Sequence, residues 1–277
     1  MKPFSIETRC LSAFAMSKVE LINRHTWHNP LERRYYRAIG GFIDRGEEIA
    51  LSLGLAKATG RRILDIGVGA GRTAAILAPR SRSYIGVDYT PKMVDLSRKR
   101  CPNLRFEVMD ARDLTAFADA SFDLVVFSYN GIDSVEGEGR LKVFNEVARV
   151  LRPGGSFVFS TFNRAWNGFG AKRVRPSVEW TTDPLRLGYR LAMFAIASVR
   201  RYWYLRYEMQ GEHPAFLHHA HNFGIMVYAT TPQQLRTQLK ISGFVGDFNM
   251  LSPQGEALDT DLSYPDTEYF HIVATRL

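Results

Sequence analysis

A short apolar run that leads directly into three spaced glycines is the feature that most constrains the fold of this chain. The segment ILDIGVGAGRT spans residues 63–73, and in it Asp65 precedes Gly67, Gly69 and Gly71. A strand that ends in glycines lets the backbone approach a ligand closely, as at the nucleotide-binding turns of open α/β sheets. The segment therefore predicts a strand–turn–helix unit with a ligand at its turn.

Beyond residue 61, β-branched apolar runs alternate with helical patterns, which is typical of βαβ units and a parallel sheet. Thr90 and Pro91 predict a helix start with a capping hydroxyl. Thr231 and Gln234 have the spacing of a capping box at the start of a later helix. Seven runs are predicted to be strands: residues 62–66, 83–88, 104–109, 122–128, 155–161, 244–251 and 269–275.

The alternation is interrupted between residues 163 and 228, where the sequence has no clear strand pattern and is rich in arginine, histidine and aromatic side chains. Seven strands with one interruption after the fifth predict a single domain over residues 1–277, with 163–228 as a mainly helical insertion. Residues 1–55 have a mostly helical pattern and are expected to form an N-terminal cap beside the glycines.

The formal net charge of +8 is concentrated in the insertion. Residues 163–206 contain nine basic side chains and two acidic ones, and the rest of the chain is nearly balanced. A local excess of this kind favours an anionic partner, although a solvated helix face has the same composition.

The remaining composition excludes several classes of protein. Two cysteines, Cys10 and Cys101, do not make a disulfide framework and are compatible with a reducing compartment. The longest apolar run, residues 191–199, is too short to cross a bilayer. The first residues lack the apolar core of a signal peptide, so a cytoplasmic location is expected.

Nicotinamide dinucleotides, nucleotide phosphates and S-adenosylmethionine (SAM) all bind at glycine turns, but the spacing separates them. A dinucleotide fingerprint needs a third glycine where Arg72 stands, and the Gly-Lys-Ser/Thr of a P-loop is absent. An acid before the glycines suits a ligand with an amino-acid tail better than a diphosphate. Asp88 and Asp110 end the second and third predicted strands, where carboxylates can accept from ribose hydroxyls and an adenine amino group.

Five segments in this order resemble the class I SAM-dependent methyltransferase family. They are LDIGVGAGR (64–72), IGVDYTPKMV (85–94), MDARDL (109–114), FDLVVFSYNGIDSV (122–135) and RVLRPGGSFVFST (149–161). The resemblance implies a Rossmann-like, seven-stranded, mostly parallel sheet with an antiparallel last strand and helices on both faces. It also implies methyl transfer from SAM, with S-adenosyl-L-homocysteine as product and no metal.

The resemblance also implies roles for individual residues. The methionine portion of SAM would be surrounded by Asp65 and the backbone of Gly67, Gly69 and Gly71. Asp88 would bind the ribose, and Ser128 would lie on the sulfonium side. The adenine would be contacted by Tyr89, Asp110 and Ala111. The alternative is that Asp88 and Asp110 are ordinary turn residues at strand ends.

Candidates for acceptor chemistry lie in three places. Asn130 follows the fourth strand beside Tyr129 and Asp133, although Asn130-Gly131 is also a simple turn. Tyr36 lies in the N-terminal cap, where it could line the pocket or pack a helix onto the sheet. His221 is the candidate base or hydrogen-bond donor in GEHPAFLHHAHNFG, which also holds His213, His218 and His219. No metal is expected, since neither cysteine nor an H-E-x-x-H pattern accompanies these histidines.

These features favour methyl transfer to an oxygen or nitrogen of a small molecule or short peptide, with an anionic or aromatic acceptor suiting the basic insertion. Residues 187–207 combine apolar, aromatic and arginine side chains, as a lid helix or an interfacial membrane helix would. Two alternatives stay open: a methyltransferase that uses the insertion on RNA or a membrane lipid, and a SAM-binding protein without catalysis. A nucleic-acid partner is disfavoured because no RNA-binding module is recognisable. The oligomeric state is not predicted.

Overall fold

The computed structural model describes residues 17–29, 43–170, 173–245 and 248–277. Its nine strands are β1 (Arg62–Ile66), β2 (Ser83–Asp88), β3 (Arg105–Val108), β4 (Phe122–Phe127), β5 (Leu151–Phe162), β6 (Ala215–His218), β7 (Ile225–Tyr228), β8 (Asn249–Leu251) and β9 (Tyr269–Thr275). Its α-helices are α1 (Lys18–His28), α2 (Arg45–Lys57), α3 (Ala74–Leu77), α4 (Pro91–Arg100), α5 (Gly137–Val150), α6 (Pro184–Tyr204), α7 (Ala220–Phe223) and α8 (Pro232–Ile241). Short 3₁₀ turns lie at Ala78–Arg80, Gly131–Ser134 and Leu205–Tyr207.

Seven of the strands form one sheet in the order β3-β2-β1-β4-β5-β9-β8. Strands β1 to β5 are parallel, and β9 is antiparallel to both of its neighbours, β5 and β8. The predicted mostly parallel sheet with an antiparallel last strand is therefore confirmed. The strand order reverses at β1, which places the carboxyl ends of β1, β2 and β4 around the crevice where open α/β sheets bind ligands.

Helices cover both faces of the sheet, so its central strands are buried on both sides. Side chains of α5 and α8, such as Phe144 and Leu239, pack with Phe157 and Phe159 of β5 on one face. Side chains of α2, α3 and α4 pack on the other face, against Ile63, Leu124 and Val158 among others. This double cover explains why the strands have nearly continuous apolar runs.

Side-chain caps fix the starts of several helices. Thr231 and Gln234 form the predicted capping box of α8, and Ser17 and Glu20 form another at α1. The prediction of a capping hydroxyl at Thr90 is wrong: its side chain makes no capping hydrogen bond, although Pro91 does begin α4.

The insertion contains a β-hairpin as well as the predicted helix. Strands β6 and β7 pair antiparallel, with Ala215 opposite Tyr228, so the expectation of a stretch without strands is wrong. Each strand has only four residues, all buried, and therefore shows no alternation that a sequence pattern could reveal. Asn23 of α1 exchanges two hydrogen bonds of 2.8 Å with the backbone of Met226, which attaches α1 to this hairpin.

In the region for which an N-terminal cap is predicted, the described residues contain α1 and α2. None of the described helices has the length and hydropathy needed to cross a membrane.

A buried ion pair fixes the segment after β4 to β5. The carboxylate of Asp133 accepts from the guanidinium of Arg140, from the Thr161 hydroxyl at 2.6 Å and from the Phe162 backbone N–H at 2.7 Å. Asp133 is completely buried, and it is not among the residues that line the cavity described below. Its position therefore indicates a structural role, not the acceptor contact considered for it from the sequence.

Replacing this carboxylate tests that role. We expect Asp133→Ala to lower the free energy of unfolding by about 3–5 kcal/mol, because it leaves the Arg140 guanidinium buried without its counter-charge. The matched control is Asp119→Ala, which removes an ion pair to Arg149 whose acidic side chain is 76% exposed. The control should cost less than about 1 kcal/mol. Urea unfolding followed by circular dichroism gives both values, and equal losses in the two variants would contradict the assignment.

Candidate active site

A single cavity of about 950 Å³ lies over the carboxyl ends of β1, β2 and β4 and continues beneath the insertion. Its sheet side includes Gly67, Gly69 and Asp88, and its insertion side includes His219 and His221. Segments that are far apart in the sequence therefore line one common space.

The glycine turn presents backbone to this cavity. Gly67, Gly69 and Gly71 have φ values of +64°, +56° and +79°, in the left-handed region that side chains disfavour. A Cβ on Gly67 would also lie 2.7 Å from the Phe127 ring. Gly67 and Gly69 line the cavity, whereas Gly71 does not and lies against Ser97 of α4. Of the three glycines, a ligand in the cavity can therefore contact the first two.

Asp65 lies beneath the turn and not at the cavity surface. One carboxylate oxygen accepts from the Thr73 hydroxyl at 2.5 Å and from the Tyr84 hydroxyl at 2.7 Å. The other oxygen is buried and has no hydrogen-bond partner among the described residues. Complete burial raises the pKa of Asp65 to about 6. The geometry points to an anchor for the turn, and the predicted contact with the methionine portion stays a prediction.

Asp88 links the glycine turn to the end of β2. Its two oxygens accept from the backbone N–H of Gly69 at 3.0 Å and of Thr90 at 2.8 Å. The residue lines the cavity, and burial raises the pKa of its carboxyl group to about 6. A carboxylate has about four lone-pair sites. Asp88 can therefore hold the turn and also accept hydrogen bonds from a ligand.

Asp110 is held by an arginine that the sequence analysis did not single out. Its carboxylate accepts from the backbone N–H of Arg112 at 2.9 Å and from the guanidinium at 2.7 Å. The same guanidinium donates to Glu20 of α1 at 2.8 Å. Asp110 lines the cavity together with Tyr89 and Ala111. The ion cluster Glu20–Arg112–Asp110 thus attaches α1 to the edge where the resemblance places adenine.

Arg72, which replaces the third glycine of a dinucleotide fingerprint, lines the wall of the cavity. It donates two hydrogen bonds to Glu47 of α2, at 2.8 Å and 2.6 Å, and one to the Ser128 hydroxyl at 3.0 Å. Its guanidinium also lies 5.2 Å from the ring centroid of Tyr129. Glu47 is 25 positions away in the sequence, and only the long-range fold reveals that it orients Arg72.

The insertion side of the cavity contains a hydrogen-bonded His–Glu pair. His218 Nε2 lies 2.6 Å from the Glu268 carboxylate, and the backbone N–H of Ala220 donates to His218 Nδ1 at 3.2 Å. These partners assign the proton of neutral His218 to Nε2. The His219 ring is 4.3 Å away, and its burial together with the neighbouring His218 lowers the pKa of His219.

His218, His219 and Glu268 offer ligand atoms within 4.8 Å of one another. Both nitrogens of His218 already have protein partners, so the arrangement is explained without a metal ion. His213 is not part of this group.

The three candidates for acceptor chemistry have different outcomes. Asn130 lines the cavity with φ at +58°, and its amide oxygen is buried without a partner among the described residues. His221 also lines the cavity, with its ring edge-to-face on Trp27 at 4.9 Å. Tyr36 lies outside the described residues.

Most of the residues predicted to contact the cofactor line the cavity. They are Gly67, Gly69, Asp88, Tyr89, Asp110, Ala111 and Ser128.

Backbone conformation singles out the segment around His221. Three of the four residues of α7, His221, Asn222 and Phe223, have φ between +53° and +56°, so this turn is not a regular right-handed helix. Left-handed conformation costs roughly 1–2 kcal/mol per L-residue. Such strain is concentrated at functional sites, which makes this segment a candidate for a functional role.

Comparison with known proteins gives one family and many related folds. Residues 63–155 match the family model described as a methyltransferase domain. A demethylmenaquinone methyltransferase of Clavibacter sepedonicus is 34% identical over 118 residues, which cover 42% of this chain and 46% of that protein. A fatty-acid O-methyltransferase of Mycolicibacterium smegmatis is 38% identical over 110 residues, 38% of either chain. The chain thus spans less than half the length of these two curated relatives.

Solved structures extend the likeness to the whole fold. A 1,6-didemethyltoxoflavin-N1-methyltransferase of Burkholderia thailandensis was crystallised with 1,6-didemethyltoxoflavin and S-adenosylhomocysteine. The alignment covers 100% of this chain and 99% of that one, at 15% identity and a TM-score of 0.54. At this identity the likeness establishes a shared fold.

The buried carboxyl of Asp65 should leave a signature in the pH dependence of stability. Its pKa rises from 3.8 to about 6 on folding, so ionisation costs stability as the pH increases through this window. We expect the stability of the wild type relative to Asp65→Asn to fall by about 2 kcal/mol between pH 4.5 and pH 7. Urea unfolding of both proteins at the two pH values measures it. A difference that does not change with pH would contradict the anchor described here.

Proposed function

We propose that this chain, which belongs to the class I SAM-dependent methyltransferase family, transfers a methyl group from SAM to an oxygen or nitrogen of a small, largely apolar or aromatic acceptor. The observation that carries the proposal is the single cavity lined by both Asp88 and the histidines of the insertion. A cofactor at the sheet edge and an acceptor under the insertion would then meet without water between them, as methyl transfer requires.

The residues at the sheet edge fit the parts of SAM. The backbone of Gly67 and Gly69 can approach the amino-acid tail, whose carboxylate is compatible with the nearby Arg72 guanidinium. Asp88 accepts from the ribose hydroxyls, and Tyr89 and the residues after β3 border the adenine. When bound, SAM supplies a methyl group activated by its positive sulfonium. The chain's own contribution is to orient this group and exclude water.

The acceptor half of the cavity combines apolar walls with polar groups that include its histidines and Asn130. Its apolar lining includes Trp27, Met193, Ile196, Ile225 and Val227. A site of this composition favours an apolar or aromatic molecule that is oriented by a small number of hydrogen bonds. The two curated relatives are named for a demethylmenaquinone and a fatty acid, and both names are compatible with this class.

Asn130 and the histidines are the groups best placed to handle the acceptor's proton. The unpartnered amide oxygen of Asn130 can accept a hydrogen bond from an acceptor O–H or N–H. Burial and the neighbouring His218 lower the pKa of His219, which favours the neutral imidazole, the form that can accept a proton, and His221 is an alternative base. SAM would supply the methyl carbon, with its sulfur keeping the electron pair of the broken carbon–sulfur bond, while Asn130 and the histidines would orient the acceptor oxygen or nitrogen and take its proton.

Affinity for the cofactor should depend on the ionisation of Asp88. Because the pKa of its carboxyl is about 6, we expect SAM affinity to fall by about tenfold from pH 7 to pH 5, as the ribose acceptor becomes protonated. Asp88→Asn should bind SAM more weakly at pH 7 and show a flatter pH profile. Asp95→Asn, at an exposed position of α4, is the control. Titration calorimetry measures the affinity of each variant for SAM. If Asp88→Asn binds SAM as tightly as the wild type at pH 7, the assignment of Asp88 to the ribose is wrong.

The class of acceptor can be tested by measuring the formation of S-adenosylhomocysteine from SAM in the presence of each of four candidate acceptors. These are a reduced naphthoquinone, a free fatty acid, a phenolic amine and total RNA. We expect turnover with one or more small molecules and a loss of about 10²-fold or more in Asn130→Ala or His219→Ala, with SAM affinity retained. Modification of RNA alone would overturn the small-molecule proposal. Tight SAM binding without turnover of any member would favour a non-catalytic role.

A further inference from the structure

We propose that α6 docks this protein onto the surface of an anionic lipid bilayer. The inference rests on the outer face of the helix and does not depend on which molecule is methylated.

The outer face of α6 is a continuous apolar surface in contact with water. At 100° per residue, one arc of the helix contains large side chains that are all exposed: Leu185, Tyr189, Leu191, Val199, Tyr202 and Trp203. Leu185 is 86% exposed and Tyr202 77%. The arc contains no charged residue. An apolar surface of this kind on a protein marks an interaction site.

The opposite side of α6 makes only a narrow contact with the protein. Ala197 is the one buried residue in the 21 residues of the helix, and it packs with Leu217 and Met226 of the hairpin and Val19 of α1. This stripe anchors the helix in place. It leaves most of the surface of the wide apolar arc exposed to water.

The net charge of the segment that contains the arc is complementary to a negatively charged surface. Residues 173–208 contain seven arginines and three acids, and α6 itself contains no acid. Glu179, which precedes the helix, forms an ion pair with Arg190. Asp183, the N-cap residue, forms an ion pair with Arg186 in the first turn. The four arginines of α6 lie outside the arc, on the side of Ala197, so the helix has an uncharged outer face and a positive excess on its other side, as helices that lie in a membrane interface do.

Aromatic side chains support a lipid surface over a protein or RNA partner. Trp180, just before the helix, is 80% exposed, and Trp203 and Tyr202 lie at its end. The guanidinium of Arg206 stacks on Trp203 at 4.4 Å. Tryptophan, tyrosine and arginine side chains favour the boundary between headgroups and acyl chains. An RNA surface would instead need cations across the exposed arc, where this helix has none.

The docking face also borders the cavity. Tyr189 and Ile196 are exposed on the arc, and both are part of the cavity lining. A bilayer against α6 would therefore lie beside the insertion end of the cavity.

The test is co-sedimentation of the full chain with vesicles of phosphatidylcholine alone and with vesicles of equal phosphatidylcholine and phosphatidylglycerol. We expect binding to the mixed vesicles to be about tenfold or more stronger, accompanied by a blue shift in tryptophan emission. The variant Leu185→Ser/Tyr202→Ser, which changes only exposed side chains, should lose about tenfold in vesicle affinity. The control Ile241→Ser/Leu262→Ser removes comparably exposed apolar side chains elsewhere and should bind as the wild type does.

Three outcomes would overturn the proposal. One is the absence of binding to the phosphatidylglycerol vesicles, and another is binding that the α6 variant retains in full. The third is a dimer in sedimentation velocity that the α6 variant dissociates, without vesicle binding, since this assigns the face to a second copy of the chain. None of these measurements requires methyl transfer, so a failure of the proposed function would be seen separately.

Discussion

The hydrogen bonds of the Asp88 carboxylate are the interaction on which the site depends. By accepting from Gly69 and Thr90, this buried group ties a left-handed turn after β1 to the end of β2. The turn would otherwise expose backbone N–H groups with no fixed direction. Asp65 supports it from beneath through Thr73 and Tyr84. Two carboxylates, both with raised pKa values, thus create a rigid edge at the point where the strand order reverses.

The remainder of the cavity is built on this edge by elements that are not part of the sheet. Helix α2 contributes Glu47 to orient Arg72, and α1 contributes Glu20 to the Arg112 cluster. The hairpin and α6 then close the other side with apolar and imidazole groups. The sheet edge and the insertion wall of the cavity are thus built from different parts of the chain. This division allows one fold to keep the same sheet edge while the other wall changes, since function depends on the site and not on the fold.

The sequence predicted the sheet well because strands buried on both faces have uninterrupted apolar runs and end at acids and glycines. It also placed most of the predicted cofactor residues at the cavity. It missed Glu47 and Arg112, whose roles depend on partners 25 and 92 positions away. It missed the hairpin, whose four-residue strands carry no periodic signal. Asp65 and Asp133 were assigned to the ligand site because they are next to ligand-site residues in the sequence. In the fold both carboxylates are buried away from the cavity surface, and this burial decides what they contact.

Helix α1 connects the two ends of the cavity mechanically. Glu20 is fixed to the Arg112–Asp110 pair, and Asn23, one turn later, is fixed to the backbone of the hairpin. A displacement of Asp110 would therefore be transmitted through one helix to the hairpin wall, and a displacement of the hairpin would reach Asp110 by the same route.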